Sequence, residues 1–401
     1  MDKQIASDPT MAAARPTWLT ENSVSLEACV ADMTHAAKIL NYPLAVEIQK
    51  NIPIYDAEFI SKQIGNRTVI AQHMAEWTHI LREGPGIVVF RRAYNDLTVI
   101  DQATSVLQSI IDEERNTMGQ RGDYFGRPGD NARLWNAHEK LCAASPESFA
   151  RYNAIDIVSL ISRAWLGPLY QITTQVNIVY PGGKAQTPHR DYHMGFQSAE
   201  QLVQYPAHVH QLSAALTLQG AVAHCDMPLE SGPTKLLPYS HRYVPGYLAI
   251  TRKEFRDYFE EHHVQVELKK GDAIFFNPAT FHAAGTNTSK DIVRFANLMQ
   301  IGSGYARSIE VVDRIRMSKL LFPKLKAMIA QLVFSERDID HIIAACAEGY
   351  SFPVNLDVDS PLSGMAPPSQ QDLMRKALAE KWDDQTFNTT MDNYVTRRHT
   401  H

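Results

Sequence analysis

Between residues 169 and 301 the chain is cut into short runs of β-branched, aromatic and apolar residues, and this punctuation narrows the folds open to it more than any other feature. Leu169 to Tyr180, Gln211 to Gln219, His263 to Leu268, Ala273 to Asn277 and Ile292 to Ile301 each have strand length and composition. Pro181-Gly182-Gly183, Gly232-Pro233 and Lys270-Gly271-Asp272 separate them. Those residues favour turns, because proline presets φ and glycine tolerates positive φ. The pattern predicts a β core.

The flanks read as helical. Thr68 to Arg82 has helical periodicity and stops at Glu83-Gly84-Pro85-Gly86, after which Gly86 to Arg92 reads as a strand. Leu97 to Glu114 sets Leu97, Ile100, Ala103, Leu107, Ile110 and Ile111 on one helical face. A loop containing Gly122-Asp123-Tyr124-Phe125-Gly126 follows, and Ser145 to Leu166 is expected as one further helix. Ser25 to Lys50 has near-helical spacing interrupted at Pro43, and residues 1–20 are expected to be a flexible tail. Toward the C-terminus, Ser308 to Leu332 has amphipathic spacing that Pro323 should break. Ser335-Glu336-Arg337-Asp338 begins a helix with a serine cap and a carboxylate three residues on. Phe352 to Pro368 reads as loop, Ser369 to Trp382 as a last helix and the remainder as a polar tail.

Composition excludes several classes. With 44% hydrophobic and 21% charged residues among 401, the chain has an ordinary globular balance, and its net charge of −5 gives no reason to expect nucleic acid as a partner. No run of about 18 apolar residues occurs, so no membrane association is expected. The first residues lack a secretory pattern. Cys29, Cys142, Cys225 and Cys346 lack paired spacing and read as free thiols, which suits a cytoplasmic location.

One cluster points to chemistry. His189 and Asp191 stand two apart in Thr187-Pro188-His189-Arg190-Asp191-Tyr192-His193, and on an extended strand such residues leave the same face. His282 follows in Phe281-His282-Ala283-Ala284-Gly285, and Arg294 lies twelve residues further on. Two imidazoles and one carboxylate leave three adjacent octahedral positions open, a geometry that suits non-haem Fe(II). A His-x-Asp triplet arises readily by chance among 16 histidines, so the surrounding residues must carry the reading. Neither His-Glu-x-x-His nor Gly-x-Ser-x-Gly occurs, which leaves zinc peptidase and serine hydrolase readings unsupported.

Those surroundings are Asn177-Ile178-Val179-Tyr180-Pro181-Gly182-Gly183-Lys184-Ala185-Gln186, then Glu230-Ser231-Gly232-Pro233-Thr234-Lys235, Pro238-Tyr239-Ser240-His241-Arg242 and Lys270-Gly271-Asp272-Ala273-Ile274-Phe275-Phe276-Asn277. In this order the segments resemble the phytanoyl-CoA dioxygenase family of Fe(II)/2-oxoglutarate-dependent oxygenases over roughly residues 85–300. The resemblance implies a mainly β, double-stranded β-helix (jelly-roll) core with helical flanks. Residues 21–304 would form the oxygenase domain, and 305–401 a helical extension packed on it. It implies that His189, Asp191 and His282 bind Fe(II), that 2-oxoglutarate and O2 are co-substrates, and that Arg294 grips the far carboxylate. Arginine suits that task because its fork donates two parallel hydrogen bonds. Gln186 and Thr234 match positions that hydrogen-bond the co-substrate. The implied reaction hydroxylates a C–H bond of a small-molecule substrate, releasing succinate and CO2, with ascorbate as a candidate reductant. Asp191 stands where related halogenases carry a small residue, which argues against halide chemistry.

His193 continues the alternation and is a candidate substrate contact, or else a loop residue beyond the strand. An acyl-CoA substrate would need a basic surface, for which Arg252, Lys253 and Arg256 are candidates, although such residues more often face solvent. The C-terminal extension is expected to pack on the core, to cap the site or to form a homodimer surface. A non-catalytic small-molecule-binding barrel and an oligomeric interaction protein are the readings from other classes.

Overall fold

The computed structural model describes residues 17–37, 42–118, 131–360 and 364–399. Its strands are β1 (Glu47–Gln49), β2 (Ile52–Asp56), β3 (Ile87–Arg91), β4 (Asn131–Leu134), β5 (Tyr170–Val179), β6 (Thr217–Ala223), β7 (Lys235–Leu236), β8 (Ala273–Phe276), β9 (His282–Ala283) and β10 (Arg294–Ser303). Eight of them form one sheet in the order β1-β2-β3-β8-β6-β10-β5-β4, antiparallel except where β2 meets β3. β7 and β9 form a separate two-stranded sheet.

Strand alternation divides the sheet's side chains between two cores. On one face Tyr55, Val88, Phe90, Val222, Phe275 and Phe295 join the main cluster, packed with the helices. Their immediate neighbours Ile54, Ile87, Val89, Ala221, Ala223, Ile274, Phe276 and Ala296 face a second cluster containing Met227, Leu236, Val266 and Leu268. Successive residues leave opposite faces, so one apolar run can feed both layers. The second layer is short: besides β7 and β9 it is held by the isolated bridges His189↔His282, Met227↔Leu268 and Leu236↔Val264.

The helices cover the first face. Arg67–Arg82, Leu97–Met118, Pro146–Asn153 and Asp156–Leu166 contribute Trp77, Ile100, Leu107, Phe149 and Ile161, all without exposure. The C-terminal helices join the same cluster through Leu321, Phe322, Ile342, Met374, Phe387 and Met391. The apolar faces of the helices Arg314–Ala330, Glu336–Cys346, Gln370–Ala379 and Asp384–Thr396 therefore lie in this cluster.

Several expectations need correction. The architecture is mixed α/β with more helix than strand, not mainly β. The large sheet is open, with β1 and β4 at its edges. Residues 207–215 form a helix and only Thr217 onward is strand, because a short apolar run does not distinguish the two. His263 to Leu268 makes bridges without becoming a strand. The helix expected over 145–166 is two, separated at Ala154-Ile155 after Ser145 caps the first. The helix Arg314–Ala330 runs through Pro323, with Leu321, Phe322 and Leu325 fully buried around it, so tertiary packing offsets the lost backbone bond. The supposed polar tail contains the helix Asp384–Thr396. The expected loop at Gly122–Gly126 and most of the N-terminal tail lie outside the described residues.

The helix from Glu336 begins as expected, with Ser335 and Asp338 in a capping box. All four cysteines are free, and three are buried. No helix among the described residues is long and apolar enough to cross a membrane.

Candidate metal centre

His189, Asp191 and His282 converge between the two layers. One ligating atom from each lies within 4.8 Å of the others, so together they could hold a metal ion. His189 Nε2 is 3.6 Å from Asp191 Oδ1, and His282 Nε2 is 3.5 Å from Asp191 Oδ2. The backbones of His189 and His282 exchange hydrogen bonds of 3.0 and 3.1 Å, which fixes the two imidazoles side by side. His189 lies on an isolated bridge and Asp191 on irregular backbone just past it, rather than on a full strand, yet their i, i+2 spacing still aims both at one point.

The environment suits a cation held by neutral imidazoles and a carboxylate. Each histidine has Nδ1 against the carbonyl two residues earlier, Thr187 at 2.8 Å and Thr280 at 2.9 Å. A carbonyl only accepts, so Nδ1 carries the proton and Nε2 keeps its lone pair for a metal. Burial pushes the His189 pKa down and keeps the ring neutral. Burial opposes ionisation of Asp191, and the Gln219 amide favours the carboxylate by donating to it. Gln219 Nε2 donates to Asp191 Oδ2 at 2.6 Å.

The centre opens onto a cavity walled by the inward face of the sheet. Arg133, Gln175, Asn177, Gln219, Arg294 and Gln300 supply its polar side, each from an alternating strand position. Ala221, Ala223, Met227, Val266, Leu268 and Leu298 supply an apolar side. Arg294, 4% exposed, donates to Asn177 Oδ1 at 3.2 Å and has no carboxylate partner among the described residues. Burial lowers its pKa to about 10, so it stays charged at neutral pH. Such a buried guanidinium beside a cavity fits an acidic ligand. Gln186 and Thr234 also line this cavity, and Gln186 Oε1 accepts from the Ala284 amide at 3.2 Å.

His193 does not join them. The chain turns to positive φ at Tyr192 and His193, 70° and 40°, which ends the extended run after Asp191. His193 begins a short 3₁₀ turn outside the cavity wall, with Nε2 3.2 Å from the Arg307 carbonyl. The basic candidates lie elsewhere as well. Arg252 donates to the Glu21 carbonyl, Lys253 pairs with Asp257 on the surface, and Arg256 lines a neighbouring groove that also reaches His189.

Sequence reasoning missed Gln219, Asn177, Arg133 and Arg190. The available signal was polar residues at alternating positions of an apolar strand, as in Gln175 and Asn177 of β5.

No curated protein sequence matches the chain. Among solved structures, the chain is similar to the non-haem α-ketoglutarate-dependent carbocyclase SnoK from nogalamycin biosynthesis, at 21% identity over 57% of this chain and 83% of that one, with a TM-score of 0.42. It is similar to the epimerase SnoN in complex with Fe3+, α-ketoglutarate and nogalamycin RO, at 17% identity over 60% and 85%, with a TM-score of 0.41. For EvdMO1 the values are 17% identity, 57% and 50% coverage, and a TM-score of 0.39. The family model of phytanoyl-CoA dioxygenase (PhyH) matches residues 83–296, more than half of the 401-residue chain, and encloses the whole metal cluster together with Arg294; the chain belongs to the phytanoyl-CoA dioxygenase family of Fe(II)/2-oxoglutarate-dependent oxygenases.

Proposed function

We propose that this protein hydroxylates a C–H bond of a small-molecule substrate, with His189, Asp191 and His282 holding Fe(II) and Arg294 holding the far carboxylate of 2-oxoglutarate. The observation that carries the reading is the convergence of two Nε2 atoms and one ionised carboxylate, with both Nδ1 atoms already committed to carbonyls. When bound, the iron and its co-substrate supply the oxidising power, consuming O2 and releasing succinate and CO2.

The chain's own residues do the positioning. Thr187 and Thr280 set the imidazole tautomers through their carbonyls, and Gln219 holds the Asp191 carboxylate in place. Arg294, supported by Asn177, presents its fork to the cavity, and Gln186 and Thr234 lie where they can hydrogen-bond the same co-substrate. The apolar wall from Ala221 to Leu298 keeps water from the reacting face. We read the large sheet and the short layer facing it as an opened double-stranded β-helix, with the centre between its layers. A dimer built through residues 305–401 would use the apolar side chains exposed there, among them Val311, Leu332 and Met365.

Purified protein supplied with Fe(II), 2-oxoglutarate and ascorbate should form succinate, and His282→Ala should not. Failure of the wild type to bind Fe(II) or turn over 2-oxoglutarate would leave the non-catalytic binding barrel as the better reading. Screening metabolites for a gain of one oxygen mass would identify the substrate.

A further inference from the structure

Arg190 separates the two ligands His189 and Asp191 in sequence, and its side chain points away from the metal centre into protein. It is 3% exposed and has no acidic partner among the described residues. Its Nη2 donates to the carbonyls of Ser240 and Tyr243, at 2.5 and 2.9 Å. The guanidinium carbon lies 5.2 Å from the Tyr247 ring centroid and 4.8 Å from that of Phe281. Burial lowers its pKa only to about 10, so the group remains a cation.

Three of these contacts, through Ser240, Tyr247 and Phe281, lead back to a ligand. The Tyr247 hydroxyl donates to the Asp191 carbonyl at 3.1 Å. Phe281 precedes His282, and its amide donates to Ser240 Oγ at 2.8 Å. Ser240 Oγ in turn donates to the Leu237 carbonyl at 2.6 Å. Gly246 leaves room for this arrangement, since a Cβ there would sit 1.9 Å from the Arg190 guanidinium carbon. Gly195 does the same for the backbone, where a Cβ would lie 2.2 Å from the Arg190 carbonyl oxygen.

Burying a cation without a counter-charge is costly. An apolar side chain could fill the slot between Tyr247 and Phe281, but it could not bridge the carbonyls of Ser240 and Tyr243. We infer that Arg190 is a positioning residue, a buried guanidinium that locks the His189–Asp191 segment to the Phe281–His282 segment so that the three metal ligands keep one relative placement. This rests on the metal-centre reading proposed above.

The test uses Co(II) as the probe metal on the full chain, with affinity from equilibrium titration and coordination geometry from the visible absorption spectrum. Arg190→Met keeps most of the volume and loses the charge and the donors. Gly246→Ala keeps Arg190 and displaces it. Each should weaken Co(II) binding about tenfold to a hundredfold, the range for groups that orient metal ligands, and should alter the spectrum. Arg190→Lys, which keeps the charge but not the planar group held between Tyr247 and Phe281, should not restore either property. A purely structural role would lower the melting temperature and leave the folded protein's affinity and spectrum unchanged. That result in Arg190→Met or in Gly246→Ala overturns the inference. Failure of the wild type to bind Co(II) overturns the metal-centre reading itself, so the two failures are distinguishable.

Discussion

At the scale of single residues, the site depends on polar groups whose hydrogen bonds leave one functional atom uncommitted. Arg294 is buried and, among the described residues, its hydrogen bond goes to the neutral Asn177 oxygen and to no carboxylate, so a dicarboxylate would gain a charge-assisted, two-pronged contact there. Arg294→Lys keeps the charge and loses the fork. Loss of such a buried pair typically costs about 2–5 kcal/mol, or roughly thirtyfold to several thousandfold in affinity. The KM for 2-oxoglutarate should rise accordingly while Co(II) affinity holds, and an unchanged KM would assign that carboxylate to another residue. Gln219→Leu removes the amide that donates to Asp191 Oδ2 and should weaken metal binding about tenfold to a hundredfold without unfolding the protein. Metal titration alongside a thermal melt separates these two effects.

At the scale of elements, adjacent positions on one strand have opposite duties. Phe275 is fully buried on the helical face and Phe276 lines the cavity beside the His282 ring, 4.9 Å between centroids. Phe275→Ala should therefore cost about 3–5 kcal/mol of stability, the usual range for deleting a buried phenyl ring. Ala221 faces the cavity from β6, so Ala221→Leu should leave the melting temperature nearly unchanged and reduce succinate formation by filling the space beside the centre. Equal loss of stability in both variants would mean that the two faces are not separate compartments. The helix from Glu336 offers a simpler check, since Ser335→Ala removes its N-cap and should cost about 0.5–2 kcal/mol in chemical denaturation.

At the scale of the whole molecule, buried imidazoles make the fold sensitive to acid. His138 and His224 are almost completely buried, and desolvation lowers the pKa of each to about 3. His138 faces the Ala345 carbonyl and Arg314, while His224 faces Tyr152, Thr104, Lys270 and Asp101. The folded pKa lies below the unfolded value, so below pH 6.5 the unfolded chain takes up protons that the native state refuses. Stability from these groups is present above about pH 6.5 and is lost as pH falls toward 3, at up to about 1.4 kcal/mol per pH unit for each group. Denaturation midpoints measured from pH 7 to 4 should fall on acidification, and His224→Gln should flatten that slope. A midpoint independent of pH across this range would contradict the burial of both rings.

Much of this organisation was legible in the residues themselves. Alternation and turn chemistry located β3, β5, β8 and β10, and periodicity located the helices at 67–82 and 97–118, because such patterns depend on local backbone geometry. The spacing of His189, Asp191 and His282, with the motifs around them, pointed to three side chains that the fold brings together and to Arg294, which lines the same cavity. Other features depended on contacts distant in sequence. Whether residues 211–216 became helix or strand, whether Pro323 ended a helix, and whether the large sheet stayed open were settled by packing partners that local propensity does not encode. The removal of His193 from the stripe required left-handed backbone at two residues, which a period-2 argument has no means to anticipate. The sequence by itself determined which groups could bind a metal, since ligand chemistry belongs to residue type. Only the tertiary structure decided which polar groups hold those ligands in place, because Gln219 on β6 and the turn at Ser240–Tyr243 meet the His189–Asp191 segment only after folding.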